Sequence, residues 1–330
     1  MITAFHEMIF WKFSGDPSTL TQSSRDIDQC VVSVPRFRRK ELKTGMDMID
    51  SPVIFEKDGC LARITLNRPE VLNAIDARIP KLLQDAVEKA NADENLRVIV
   101  LSGSGKAFCA GYDLKSYAEA EGNNPGFQSM PWDPVRDYAF MKRNTEHFMS
   151  LWRSLLPVIC KVQGYAIAGG TDIAFCSDLL MIAEDAKLGY PPARVWGCPP
   201  GAMWVYRLGA ERAKRLLLTG DLIDGKKAEE WGLGTSFPES ILDQEVEKLA
   251  SRMASIPRNQ LVMQKMMVNQ SLENIGLASS QTLAAFFAGI ARHTPEGVNF
   301  KNRAEEIGWK EAVRERDEVI FDWTEKRPVP

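Results

Sequence analysis

The chain has 330 residues, 45% of them hydrophobic, and a formal net charge of −3 from 41 Lys and Arg against 44 Asp and Glu. That length supports one large domain or a domain with an appendage, and the near-neutral balance argues against a broad nucleic-acid-binding surface. Six cysteines without a Cys-x-x-Cys pair, and no apolar run near the ~18 residues of a membrane helix, argue against a zinc site, a disulfide framework and a membrane span. They favour free thiols in a reducing, cytoplasmic setting.

Residues 1–52 show no sustained periodicity, and GDPSTLTQSS together with the basic cluster RFRRKELK (Arg36 to Lys43) reads as a disordered arm. The start, MITAFHEMIFWKF, carries Glu7 and lacks the basic-then-apolar order of a secretory signal. Met46 and Met48 are later candidate starts. Order is expected from Val53. LARITLN (Leu61 to Asn67) alternates like a strand, RPEVLNAI leads into a helix near Asp76, and RVIVLSG (Arg97 to Gly103) is a continuous apolar strand of the buried parallel type. Gly122, Pro125, Gly126, Pro131 and Pro134 mark irregular chain to about 135, followed by a helix to about Ser154. PVICKVQG is the next strand, GGTDIAFCSD the next helix start, and LLMIAED another strand.

Strands alternating with helices predict an α/β layered core. After about residue 205 the periodicity is helical only, through GAERAKRLLLTG, DGKKAEEWG, SILDQEVEKLASRMAS, NQLVMQKMMVNQSLE and SSQTLAAFFAGIARH. The division expected is an arm over 1–52, a core over 53–255 and a helical region over 256–330. The Met, Leu and Phe stripes of that last region suit core and subunit packing.

Nucleotide motifs fail. In SGSGKAF the first glycine of a phosphate loop would fall at Val100, Ala107 stands where Ser or Thr is needed, and Phe108 occupies the third glycine of a G-x-G-x-x-G. The three histidines, His6, His147 and His293, lie far apart, and no metal set is expected. Cys109 has no base in sight and reads as a small buried thiol.

Two stretches remain. In FCAGYDLKSY (Phe108 to Tyr117), Ala110 and Gly111 precede a helix start, as a structural turn or as a place where backbone N–H groups are left open. In GYAIAGGTDIAFCSD (Gly164 to Asp178), Gly169 and Gly170 open a helix with Asp172 in its first turn. Open amides there can stabilise an oxyanion. Asp172 either only stabilises the helix end or is an acid/base, and the helix dipole predicts that it is an ionised carboxylate at neutral pH.

KAFCAGYDL followed by PVICKVQGYAIAGGTDIAFCSDLLMIAEDAKLGYP resembles the crotonase (enoyl-CoA hydratase/isomerase) superfamily. LNRPEVLNAI (Leu66 to Ile75), RLGAERAKRLLLTGDLIDGKKAEEWGLG (Arg207 to Gly234) and PEGVNFKNR support the resemblance, which covers about residues 53 to 305. It implies an α/β spiral of repeated ββα units with a C-terminal helical region for trimer assembly, as a homotrimer or a dimer of trimers. It implies an acyl-CoA substrate, with coenzyme A part of that substrate and no separate cofactor. By motif position the N–H groups of Tyr112 and Gly169 bind the thioester oxygen, Asp172 is the acid/base, and Val71, Ala110, Asp113, Leu114 and Lys115 lie along the CoA moiety.

The departure from the pattern lies at the second of two glutamates that family hydratases carry, where GYPPARVWG places Pro192. A proline cannot transfer a proton, so a two-carboxylate hydration is incomplete. RVWGCPPGAMW supplies Arg194, Trp196, Cys198, Met203 and Trp204, read as a bulky apolar pocket wall. Glu119, Glu121, Asp133 and Asp137, between Tyr117 and Tyr138, are candidate second donors. The chemistry expected is enoyl-CoA hydration or the reverse, with isomerisation, thioester hydrolysis or decarboxylation as alternatives within the superfamily. A non-catalytic acyl-CoA-binding or assembly protein, which keeps the fold after losing the second acid, is the rival from another functional class.

Overall fold

The computed structural model describes residues 51–121, 126–320 and 323, so nearly all of the arm expected over 1–52, with Met46 and Met48, lies outside the described residues. Strands β1 (Val53–Asp58) and β2 (Leu61–Leu66) form a hairpin, and the fully buried Leu61, Ala62, Ile64 and Leu66 turn β2 into the core. Helix α1 (Ile79–Ala92) begins three residues after Asp76 because that carboxylate accepts from the N–H groups of Arg78 (2.9 Å) and Ile79 (3.2 Å), a cap just before the apolar face of Leu83, Ala86, Val87 and Ala90. β3 (Val98–Gly103) pairs parallel with β2 from Leu61 opposite Val98 to Leu66 opposite Gly103. Helix α2 (Pro134–Arg153) is capped by Asp133, which accepts from Val135 (3.0 Å) and Arg136 (3.1 Å).

From there successive short strands alternate between two sheets. β4 (Val158–Val162) and β6 (Leu179–Ala183) extend the large sheet, while β5 (Tyr165–Ile167) and β7 (Lys187–Gly189) pair in a small one, with helix α3 (Gly169–Phe175) between β5 and β6. After helix α4 (Met203–Thr219), β8 (Leu222–Asp224) joins the small sheet, helix α5 (Gly225–Glu230) follows, and β9 (Thr235–Phe237) closes the large one. The large sheet runs β1-β2-β3-β4-β6-β9 and the small one β5-β7-β8, the expected spiral of ββα repeats. The expectation of helices alone after residue 205 is wrong: β8 and β9 lie there, too short at three residues each to carry a period-2 pattern.

Helices α6 (Glu239–Ala254), α7 (Arg258–Glu273), α8 (Leu277–His293), α9 (Pro295–Ile307) and α10 (Trp309–Asp317) complete the chain. The buried Lys265 ties α7 to the core, donating to Asp178 Oδ2 (2.7 Å) and to the carbonyls of Leu151 (2.9 Å) and Leu156 (3.1 Å). α8 packs along α2, and α9 and α10 fold over a π-helical turn, Lys115–Glu119, so the C-terminal region covers the core of its own chain. It still presents an apolar outer face, with Met263, Met266, Met267 and Val268 of α7 and Leu283, Phe287 and Ile290 of α8 exposed. Cys109, Cys160, Cys176 and Cys198 are free, whereas Cys60 is disulfide-bonded, against the expectation of free thiols throughout. Among the described residues no helix is long and apolar enough to cross a membrane.

Candidate active site

Tyr112 and Gly169 come together because two glycines permit a close approach. Gly111 takes a left-handed φ of 94°, and a side chain there would meet the Ile167 carbonyl oxygen at 2.8 Å and lie 3.5 Å from the Gly169 nitrogen. At Gly170 a Cβ would stand 2.2 Å from the Cys109 carbonyl oxygen. Ile75 occupies one backbone edge of this segment, donating to the Gly111 oxygen (2.8 Å) and accepting from Asp113 N (3.0 Å). The Tyr112 N–H therefore faces the other way and has no acceptor among the described residues. Gly169 opens α3, where an N–H has no intrahelical partner, and it too donates to nothing there. Ala168 before it holds a φ of 50°, a conformation alanine rarely adopts outside constrained sites. Two amides, one at a helix N-terminus, are thus left without acceptors beside one another.

Tyr112, and Ala168 just before Gly169, line a cavity of about 280 Å³. Its wall includes Ala110, Tyr112, Leu114, Ile167 and Ala168 from the amide side, and Tyr190, Pro191, Pro192, Trp196 and Cys198 facing them. Of the residues expected along the CoA moiety, Ala110 and Leu114 line this cavity and the others do not. Asp113 pairs with Arg68 (3.0 Å), while Val71 and Lys115 are exposed.

Asp172 stands behind the wall rather than in it. Its carboxyl is buried beside Gly201, where a Cβ would lie 3.5 Å from Oδ1, and Oδ2 has no hydrogen-bond partner. Burial alone pushes its pKa up to about 8, so it is mainly protonated at neutral pH. This corrects the expectation of an ionised carboxylate: a helix end contributes about 0.3–1 kcal/mol to a charge, less than complete desolvation without a donor removes. Burial also raises the Tyr112 hydroxyl, which Asn144 Nδ2 approaches at 3.4 Å, and the charge of Asp172 pushes the same way.

Pro192 lies in the wall, in a short 3₁₀ turn. None of the four candidate second donors does. Glu119 accepts from the Trp309 N–H (3.3 Å), Asp133 caps α2, and Glu121 is exposed. Asp137 is buried in an ion pair with Arg292 and also meets Trp132 Nε1 (3.3 Å) and His293 Nδ1 (3.3 Å). Burial works to raise its pKa, and His293 and Arg292 outweigh that, holding it below the ordinary carboxylate value. The segment instead supplies Tyr117, whose buried hydroxyl has no partner and is pushed to about 12 by burial. Asp317 is the carboxylate on the wall, and it pairs with Arg316 (2.8 Å) and Arg194 (3.2 Å).

Of the expected apolar wall, Trp196 and Cys198 hold, but Met203 and Trp204 belong to the main core, and Arg194 turns to the Thr219 carbonyl (2.8 Å). Cys109 is the buried thiol expected, raised to about 12 by burial. Sequence reasoning missed Asn144, Arg292 and Trp309. The one available signal was an arginine closing the apolar stretch LAAFFAGIAR, at a position facing the interior.

A family model described as enoyl-CoA hydratase/isomerase matches residues 56–300. A probable enoyl-CoA hydratase of Mycobacterium bovis is 31% identical over 231 residues, covering 67% of this chain and 82% of its own. A crotonyl-CoA hydratase of Syntrophomonas wolfei is 30% identical over 228 residues, with the same coverages, 67% and 82%. The crystal structure of an enoyl-CoA hydratase from Mycobacterium smegmatis aligns with a TM-score of 0.77 at 46% identity, over 83% of this chain and 96% of that one. The family match spans most of a chain whose spiral already brings the two free amides together: this protein belongs to the enoyl-CoA hydratase/isomerase family and is an enzyme of the enoyl-CoA hydratase type.

Proposed function

We propose that the protein interconverts a 2-enoyl-CoA and a 3-hydroxyacyl-CoA, holding the enolate in the amide pair and using Asp172 as acid/base. The observation that carries this reading is the pairing of two free N–H groups with one dry, protonated carboxyl at the same helix start. The thioester oxygen accepts from Tyr112 and Gly169, and these bonds strengthen as negative charge gathers on it, which lowers the barrier. The protonated Asp172 delivers its proton to Cα as water oxygen bonds to Cβ, and it takes one proton from that water in return. The remaining water proton stays on the new hydroxyl, so Asp172 ends the cycle as it began, and one carboxyl does what two do in the family pattern. The segment Trp196–Ala202, bounded by left-handed residues (φ 82° and 52°), runs from the cavity wall at Cys198 to the carboxyl at Gly201. It is the part that yields when substrate meets Asp172.

Pro192 in the wall favours a second reading, double-bond isomerisation, in which a single acid/base carries a proton between Cα and Cγ with no water to activate. Incubation with crotonyl-CoA and with a 3-enoyl-CoA, followed by mass spectrometry, separates the two. Hydration adds the mass of water to crotonyl-CoA, whereas isomerisation converts the 3-enoyl thioester at constant mass. Binding of both thioesters without conversion leaves only the non-catalytic rival. The same reading includes assembly as a homotrimer or a dimer of trimers, supported by the exposed apolar face of α7 and α8.

A further inference from the structure

The cavity has an open mouth and a closed floor. Tyr165 and Leu222, 44% and 42% exposed, mark the mouth, whereas Met141, Ala288 and Arg292 are buried wall residues. A thioester held at the amides with its CoA arm leaving through the mouth sends its acyl group toward the buried residues.

Three donors on this wall are buried without partners: Arg292 Nε, the Tyr117 hydroxyl and Trp196 Nε1. Arg292 is 7% exposed. Its charge is already matched, since Asp137 takes one Nη. What Arg292 lacks is an acceptor for Nε, not a counter-ion. The rest of the wall is aromatic, with Tyr112, Phe140, Tyr190 and Trp309.

From this pattern, and resting on the acyl-CoA reading above, we infer that the acyl group taken here is a compact ring carrying a neutral oxygen acceptor, a hydroxyl, ether or ketone. Flat aromatic walls stack on rings, and about 280 Å³ is small for a long acyl chain. A straight alkyl group leaves all three donors dry and unpaired, which a site built for hydrogen bonding penalises heavily. A carboxylate-ended acyl group brings a second negative charge to an arginine that Asp137 already neutralises.

The test is calorimetric titration of the intact protein with four thioesters that lack a 2,3 double bond, so that binding is read without hydration. They are 3-(4-hydroxyphenyl)propanoyl-CoA, 3-phenylpropanoyl-CoA, hexanoyl-CoA and glutaryl-CoA. The hydroxyaryl thioester is expected to bind about tenfold more tightly than the phenyl one, with hexanoyl-CoA and glutaryl-CoA weaker still. Tyr117→Phe, and Arg292→Lys, which keeps a cation beside Asp137, should each pull the hydroxyaryl-to-phenyl ratio toward one. Equal affinity for hexanoyl-CoA or glutaryl-CoA, or a ratio unmoved in both variants, overturns the inference. If none of the four binds to folded protein, the acyl-CoA reading fails and takes the inference with it. The expected binding order with crotonyl-CoA left unconverted supports the inference and removes only the hydration step.

Discussion

Asp172→Asn tests both the environment and the role of the carboxyl. In the folded chain burial holds this group at about 8 against an ordinary 3.8. At 1.36 kcal/mol per tenfold change in proton affinity, ionising it inside the protein costs on the order of 5 kcal/mol. Below pH 3.8 the folded and unfolded chains both keep the proton; between 3.8 and about 8 only the folded chain does, so stability falls as pH rises; above about 8 the loss is complete. Asparagine has nearly the same shape and cannot ionise. Its stability relative to the wild type should therefore grow by roughly 1.4 kcal/mol per pH unit between pH 5 and 8 and then level off. Urea unfolding of both proteins across pH 5 to 9 measures this difference, in which the other titrating groups cancel. Turnover of crotonyl-CoA by the same variant should fall by roughly 10² to 10⁴, while affinity for a thioester stays within a few-fold because the proposed oxyanion donors are backbone groups. A stability difference independent of pH refutes the dry carboxyl, and unchanged turnover makes Asp172 a helix-end residue only.

Asp172→Glu should not raise hydration of crotonyl-CoA by itself, because Oδ2 is already enclosed and Pro192 offers no second proton; a gain in the initial rate would count against the one-carboxyl scheme. Gly170→Ala drives a methyl to within 2.2 Å of the Cys109 carbonyl oxygen, so a large fall in melting temperature, or loss of soluble protein, is expected. Lys265→Met leaves Asp178 without its buried cation and should cost about 3–5 kcal/mol in chemical denaturation. Light scattering at micromolar protein should return three or six times the 37.0 kDa chain mass, and a monomer mass would end the trimer proposal.

Much of this was legible along the chain. The alternation in LARITLN, the apolar run of RVIVLSG and the glycine-opened helix at GGTDIAF are local signals, and each became the element expected. Tyr112, Gly169 and Asp172 could be named because the family resemblance places its motif positions on them, in stretches where small residues before a helix start leave amides open. The three-residue strands β5, β7, β8 and β9 could not be read, since pairing partners rather than periodicity create them. The protonation state of Asp172 was misjudged for a related reason. A helix dipole is written in the local sequence, but desolvation depends on Tyr112, Tyr190 and Gly201 closing in from three separate segments. Arg292 and Trp309 entered the cavity wall only when α8 and α10 folded back over their own core, some 180 and 200 residues along the chain from Tyr112. Backbone chemistry is set by neighbours in sequence, whereas burial, charge balance and pocket shape are set by neighbours in space. The sequence therefore determined which amides lie open at a helix start, and the tertiary structure decided the protonation of Asp172 and the residues that wall the cavity.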